Sequence, residues 1–213
     1  MKIRKIHLAL SVVMFIALIA TSAFADPNVT LNKPVTLNGV FGVLPDGSGW
    51  DPTQPLGTAG SINDGVFFPE GTLWNQGSVW WNSTVSGSGS NSIVIDLQGA
   101  YHITGIIVQA DNNDGYAIDY FSPVTSAWTN FGAATAVPGW GLVTRPNADQ
   151  VTPLPIFYDL YASRFRLSAF FVNDYDYAIS EFQAFGTPVP EPATMLLLGL
   201  GLMGLAGVRR FSR

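Results

Sequence analysis

The chain has 213 residues, no cysteine, and 47% hydrophobic against 12% charged residues, with a formal charge of −5. Between Asp26 and Gly186 the imbalance is steeper: four bases (Lys33, Arg145, Arg164, Arg166) face fourteen acids, a formal charge of −10. Nucleic acid and anionic lipid head groups repel such a segment, and no Lys/Arg cluster reverses that locally. Without cysteine there are no disulfides, zinc thiolates, thiol nucleophile or lipid-modified cysteine.

The first 25 residues, MKIRKIHLALSVVMFIALIATSAFA, set Lys2, Arg4 and Lys5 ahead of an apolar run and close on Ala23-Phe24-Ala25. A positive flank, a short greasy core and small residues before the cut are what signal peptidase requires. Cleavage after Ala25 is expected, leaving Asp26 as the mature N-terminus.

Residues 26–187 suffice for one domain with its own core, and their patterning is β. The first candidate strand is 36–43. In NSIVIDLQ (91–98), Ile93, Ile95 and Leu97 alternate with Val94 and Asp96, the period of a strand with one face on a core. YHITGIIVQA (101–110) and YAIDYF (116–121) flank DNNDG (111–115), a turn-rich insert at a hairpin position. That insert is not an EF-hand loop: Gly115 falls at its fifth position rather than the sixth, and Ser122 stands at the twelfth in place of Glu. Further candidates are 140–144 and 155–161. RFRLSAF (164–170) follows, alternating Phe165, Leu167 and Ala169 with Arg164, Arg166 and Ser168, and 178–185 completes the set. STVSGSGSNS (83–92) is a Gly/Ser-rich loop. No helical stripe interrupts the series, so an antiparallel sandwich or barrel is expected.

After Pro192, Ala193–Val208 carry no charge. As a helix they would cover about 24 Å, slightly short of a ~30 Å hydrocarbon core. Arg209, Arg210 and Arg213 then fall on the cytoplasmic side. A transmembrane helix over 193–208 is expected, with the domain on the far side. GLGLMG inside it has the spacing of a dinucleotide-binding fingerprint at Gly199, Gly201 and Gly204, but lacks the preceding strand and the following acid. Val189-Pro190-Glu191-Pro192, the apolar stretch and the basic end together resemble the PEP-CTERM sorting signal of bacterial surface proteins, spanning 188–213. The resemblance implies that an exosortase-type membrane protease cuts near the Pro-Glu-Pro. The domain would cross the inner membrane, be held there transiently, and end at the cell surface or outside.

Three stretches resemble a second family: INDGVFFPEGTLWNQGSVWW (62–81), SIVIDLQGAYHITGIIVQADNNDGYAIDY (92–120) and SRFRLSAFFVNDYDYAISEFQAFG (163–186). They are similar to the discoidin, or F5/8 type C, domain, which implies a galactose-binding-like jelly-roll β-sandwich. It also implies a structural calcium held by Asp64, Glu181, Thr72 and the carbonyls of Ser61 and Ser180. Carboxylates and carbonyls are the ligands a hard cation takes. Here the Asp64–Thr72 spacing exceeds the family pattern by three residues, Phe68-Pro69-Glu70. The residues themselves allow another arrangement, in which Asp64 caps a turn and Glu181 pairs with Arg164 or Arg166.

Catalysis has little footing. His102 is the only histidine after the leader, and no G-x-S-x-G, H-E-x-x-H or S-x-x-K motif occurs. Asp174/Asp176 and Asp111/Asp114 are carboxylate pairs in short loops with no accompanying cleft signature. Sugar binding suits the composition better, since an aromatic platform with amide and carboxylate acceptors matches the apolar faces and hydroxyls of a sugar. Trp74 and Trp128 match family positions that pack the core. Trp80 and Trp81 are neighbours and cannot both point inward on one strand. One of those two, or Trp50 or Trp140, is the expected platform, with Asn112 supplying polar contacts. The expected function is a non-enzymatic exported surface or matrix protein that binds polysaccharide. The alternatives are a purely structural matrix protein and a glycan-acting enzyme.

Overall fold

The computed structural model describes residues 26–171, 174–190, 197 and 200. The expected signal peptide, including Ala25, lies outside that set, as do Glu191, Pro192 and nearly all of 193–208. Among the described residues no helix is long and apolar enough to cross a membrane.

The fold is all-β. Among the described residues eight strands run in chain order as β1 (Val35–Asn38), β2 (Val79–Asn82), β3 (Ser92–Asp111), β4 (Gly115–Ser122), β5 (Ala127–Ala134), β6 (Leu142–Arg145), β7 (Leu154–Phe171) and β8 (Asp176–Pro188), with a 3-10 turn at Ala59–Ile62. Every pairing is antiparallel, and the main path is β2-β8-β3-β7-β4-β5, with β1 and β6 joined to β3.

The sheet folds over on itself. Strands lie about 4.8 Å apart in a ladder, so a flat sheet would put β2 nearly 20 Å from β4. Yet the rings of Trp81 (β2) and Tyr116 (β4) are 6.3 Å apart, and those of Phe165 (β7) and Phe182 (β8) are 5.1 Å apart. The fold-over is made by the two long strands. The register of β3 with β7 slips between Asp96 and Tyr101, where β3 has four unpaired residues against Ser163 alone. One half of each strand therefore belongs to each layer, and the layers enclose one core.

The alternation expected from the sequence builds that core. Ile93, Ile95, Leu97, Phe165 and Leu167 are buried in it, while Arg164 and Arg166 face outward. Beyond Ile106 the alternation stops and β3 is buried on both faces. Inside lies the core; outside, the 44–77 connection covers the sheet. The Gln109 side chain fastens that cover, accepting the Phe68 amide and donating to the Phe68 carbonyl, both at 2.9 Å.

Several expectations need correction. The two candidates at 91–98 and 101–110 are one bent strand, as are 155–161 and 164–170. β2 and β5 have no clear period-two signal and were not anticipated. The insert at 111–115 is not a hairpin: β3 and β4 are separated by β7 in the pairing order, so it crosses from one layer to the other.

Candidate functional site

The crossing at 111–115 meets the β5–β6 loop, the β7–β8 connection and the 44–57 loop at one pole of the sandwich. Between them lies a cavity of about 240 Å³ lined by Trp50, Trp74, Asp111, Asn113, Trp140 and Asp174, among others.

Its frame is built on Arg145. This side chain is only 8% exposed, and its guanidinium donates to the carbonyls of Thr135, Ala110, Val143, Asp111 and Asn112 at 2.6–3.2 Å. Five donors are used on five backbone acceptors. Asn112 continues the clamp by donating to the Val137 and Gly139 carbonyls at 3.3 and 3.1 Å. Gly141 then lets the loop approach the 72–74 segment: its φ is +60°, and a Cβ there would collide with the Thr72 carbonyl oxygen. The result is a fixed loop that holds Trp140 66% exposed at the rim.

The cavity floor is aromatic. Trp50 meets Trp74 edge-on at 5.6 Å, and Trp74 meets Trp80 likewise at 5.6 Å. Trp80 is fully buried beneath this stack and Trp81 is 2% exposed, so neither is the exposed platform expected of the pair. Their side chains do alternate: Trp81 enters the main core and stacks on Tyr177 at 5.4 Å, whereas Trp80 faces the other side. That other side is sealed by Leu44, Trp50, Phe68 and Leu73 of the covering loop. Trp128 is corrected in the opposite sense, being half-buried on an outer face, with Arg166 over its ring at 4.6 Å.

The walls are acidic. Asp111 is 3% exposed; burial, aided by the charge of Asp174, pushes its carboxyl up to about 7. The amide of Asn112 and Asp114 act against that shift, as does Arg145. Asp174 accepts from Asn113 Nδ2 at 2.9 Å and from the Asp176 amide at 3.1 Å. Burial also raises Asp176, against a hydrogen bond from Asn82. Sequence reasoning named these carboxylate pairs but saw no cleft; the cleft exists because distant loops meet. Among the described residues no basic side chain lines it. His102 lies outside it, with Nε2 3.5 Å from Asp159 and its ring 5.2 Å from that of Tyr161.

A second acidic site lies under the covering loop. Glu181 is fully buried; its Oε1 accepts from the Gly65 amide and from Gln183 Nε2, both at 3.1 Å. Its Oε2 has no hydrogen-bond partner among the described residues. Burial, reinforced by the nearby charge of Asp64, pushes its carboxyl up to about 8. Asp64 caps a turn by accepting the Val66 amide at 2.9 Å. Arg166 pairs with Asp119 at 2.7 Å, so it is not the partner of Glu181. Ser61 lies in the 3-10 turn just before Asp64, and Ser180 adjoins Glu181 in β8, donating through Oγ to Gln109 Oε1 at 2.8 Å. Thr72 is engaged elsewhere: its hydroxyl donates to the Pro69 carbonyl at 2.7 Å, and its carbonyl accepts the Leu142 amide at 2.8 Å. The three extra residues explain this, because Phe68 and Glu70 strap the loop to Gln109 and Thr144. The orphaned buried oxygen beside a second carboxylate fits a hard cation, with Thr72 left out of the donor set. Among the described residues no three His, Cys, Asp or Glu side chains gather as a metal cluster.

Residues 188–210 match the PEP-CTERM protein-sorting motif, a signal for export. No curated protein matches the chain. Among solved structures it is similar to the fucolectin of striped bass (Morone saxatilis) serum, at 12% identity and TM-score 0.49, over 79% of this chain and 52% of that one. It is also similar to a fucose-binding module of Streptococcus pneumoniae, at 12% identity and TM-score 0.46, covering 75% and 95% of the two chains. A family 32 CBM from C. perfringens NanJ, in complex with galactose, is similar at 13% identity and TM-score 0.44, covering 71% and 93%. The chain spans about half the length of the fucolectin chain.

Proposed function

We propose that this is an exported, non-enzymatic protein whose tryptophan-floored, acid-walled cavity binds a polysaccharide outside the cell. One observation supports this above others: Trp140 stands 66% exposed over a cavity walled by Asp111, Asn113 and Asp174. A sugar ring would lay its C–H face on the indole while its hydroxyls reach the amide and carboxylate acceptors. Trp50 and Trp74 form the floor, and Asn112, also on the lining, holds the loop through the Val137 and Gly139 carbonyls. The ligand is a neutral or amino sugar rather than a uronate, because the walls are anionic and Arg145 has no donor left for a carboxylate. Trp140→Ala should abolish retention on neutral and amino-polysaccharides without lowering the melting temperature. Uniformly blank arrays with folded protein would instead favour a purely structural matrix component.

Asp111, whose carboxyl burial pushes up to about 7, lines the cavity together with Asp174, and this pair of carboxyls supports a second reading, a glycan-cleaving enzyme. Release of reducing ends from a bound polysaccharide would establish that second reading.

Delivery follows from the ends of the chain. Signal peptidase frees Asp26, the apolar segment 193–208 anchors the protein in the membrane, and an exosortase-type protease then cuts near Val189-Pro190-Glu191-Pro192. Calcium is the proposed structural ion, held by Asp64, Glu181 and the carbonyls of Ser61 and Ser180. It would replace an unsatisfied oxygen and a like-charge contact with ion–oxygen bonds.

A further inference from the structure

The strand registers sort the loops of the sandwich into two poles. At the first, Asp111 ends β3 opposite Leu142, and the cavity opens there. At the second, Tyr101 lies across from Pro188 of β8 and Ala162 of β7. Ten residue steps separate Tyr101 from Asp111, roughly 33 Å of extended strand.

Both ends of the described domain lie at the second pole. Asp26 accepts from the Thr104 hydroxyl at 2.7 Å, and the Pro27 carbonyl takes the Gly186 amide at 3.1 Å. At the other end the Val189 amide donates to Ala100 at 2.8 Å. Four residue steps then reach Ala193, where the uncharged run begins. An extended chain covers at most about 14 Å in four steps.

Beside these exits β7 bulges. Between its pairs with Gly105 and Ile103 it carries Ile156, Phe157, Tyr158 and Asp159 against the single residue Thr104. Ile156 packs on the core, but Phe157 is 91% exposed and Tyr158 is 55% exposed. Two adjacent aromatic rings left this open on one bulge form a small exposed apolar patch rather than a lone surface hydrophobe.

We propose that Phe157 and Tyr158 seat in the interfacial layer of the lipid bilayer that the C-terminal segment enters. The proposal rests on the reading of 193–208 as a membrane anchor. The short tether then holds this pole within about 14 Å of the bilayer. An exposed phenyl ring and a phenol with a polar tip suit the boundary between head groups and acyl chains. The cavity pole, crowded with Asp111, Asp174 and Asp176, points the other way, where an anionic surface would not repel it. The bulge's one carboxylate, Asp159, has His102 at 3.5 Å. Held by a tether and an aromatic foot, the sandwich stands upright with its sugar site facing outward.

The absence of cysteine makes single-site labelling direct. Full-length Phe157→Cys, Tyr158→Cys, Ser86→Cys and Leu200→Cys variants would each carry an environment-sensitive fluorophore in phosphatidylcholine vesicles containing spin-labelled lipid. Labels at 157 and 158 should shift to shorter wavelength and be quenched by shallow spin labels, that at 200 by deep ones, and that at 86 by neither. Labels at 157 and 158 as wet as the one at 86, with 200 still quenched, would overturn this contact alone. No quenching at 200 would overturn the anchor and the contact resting on it.

Discussion

The Tyr116 hydroxyl accepts the Ala178 amide at 3.0 Å, bridging β4 of one layer to β8 of the other. Both residues are fully buried, and burial raises the phenol well above its ordinary pKa. This bond therefore spans the sandwich beside the loops that build the cavity. Tyr116→Phe leaves the Ala178 amide buried and unpartnered, which costs about 1–3 kcal/mol. Urea unfolding should show that loss, with the far-ultraviolet β spectrum unchanged.

The tryptophans divide by role. Trp80→Ala empties a fully buried site and should destabilise by about 3–5 kcal/mol. Trp140→Ala should leave the unfolding midpoint unmoved and remove sugar retention. Paired denaturation and affinity electrophoresis separate the two; equal destabilisation by both would contradict the placement of Trp140 at the rim.

Asp111 makes stability depend on pH in a defined direction. Its carboxyl titrates at about 7 in the folded state against about 3.9 when unfolded. Between those values the folded protein holds the extra proton, so stability falls as pH rises from about 4 through 7. Glu181, at about 8, acts in the same sense and carries the decline further. Chemical denaturation in chelator across this range should show the slope. Asp111→Asn should reduce the slope between about pH 4 and 7, and the part due to Glu181, which runs on to about 8, should go when Glu181→Gln is added.

Calcium added to chelator-stripped protein should raise the melting temperature by mass action on the folded state. Asp64→Asn and Glu181→Gln should each abolish that rise, and Thr72→Val should retain it because its hydroxyl is committed to Pro69. An unchanged melting curve with calcium would remove the ion from the account.

Much of the sandwich was legible because one-sided burial writes itself as alternation. Ile93, Ile95, Leu97, Phe165 and Leu167 are buried as their spacing required. β5 escaped notice because AWTNFGAA is mostly exposed or half-buried, leaving no apolar face to detect. Trp80 and Trp81 misled for a longer-range reason. Strand geometry does send them to opposite sides, but the 44–77 connection folds back to close the second side through Leu44, Trp50, Phe68 and Leu73, and no local pattern announces that. The cavity was partly readable. Trp50, Trp140 and Asn112 were nominated by residue type and do come to one pole, whereas Asp111, Asn113 and Asp174 meet them only through the crossing between layers. A run of Asx residues reads as a turn in either case.

The grip of Arg145 on five carbonyls has a consequence for change over time. It holds main chain at 110–112, 135 and 143 and ignores what the neighbouring side chains are, so a replacement at 140 leaves that frame intact, whereas Asp174 is itself tied to Asn113 and the Asp176 amide. New specificities can therefore be sampled one substitution at a time on a frame that does not have to be rebuilt.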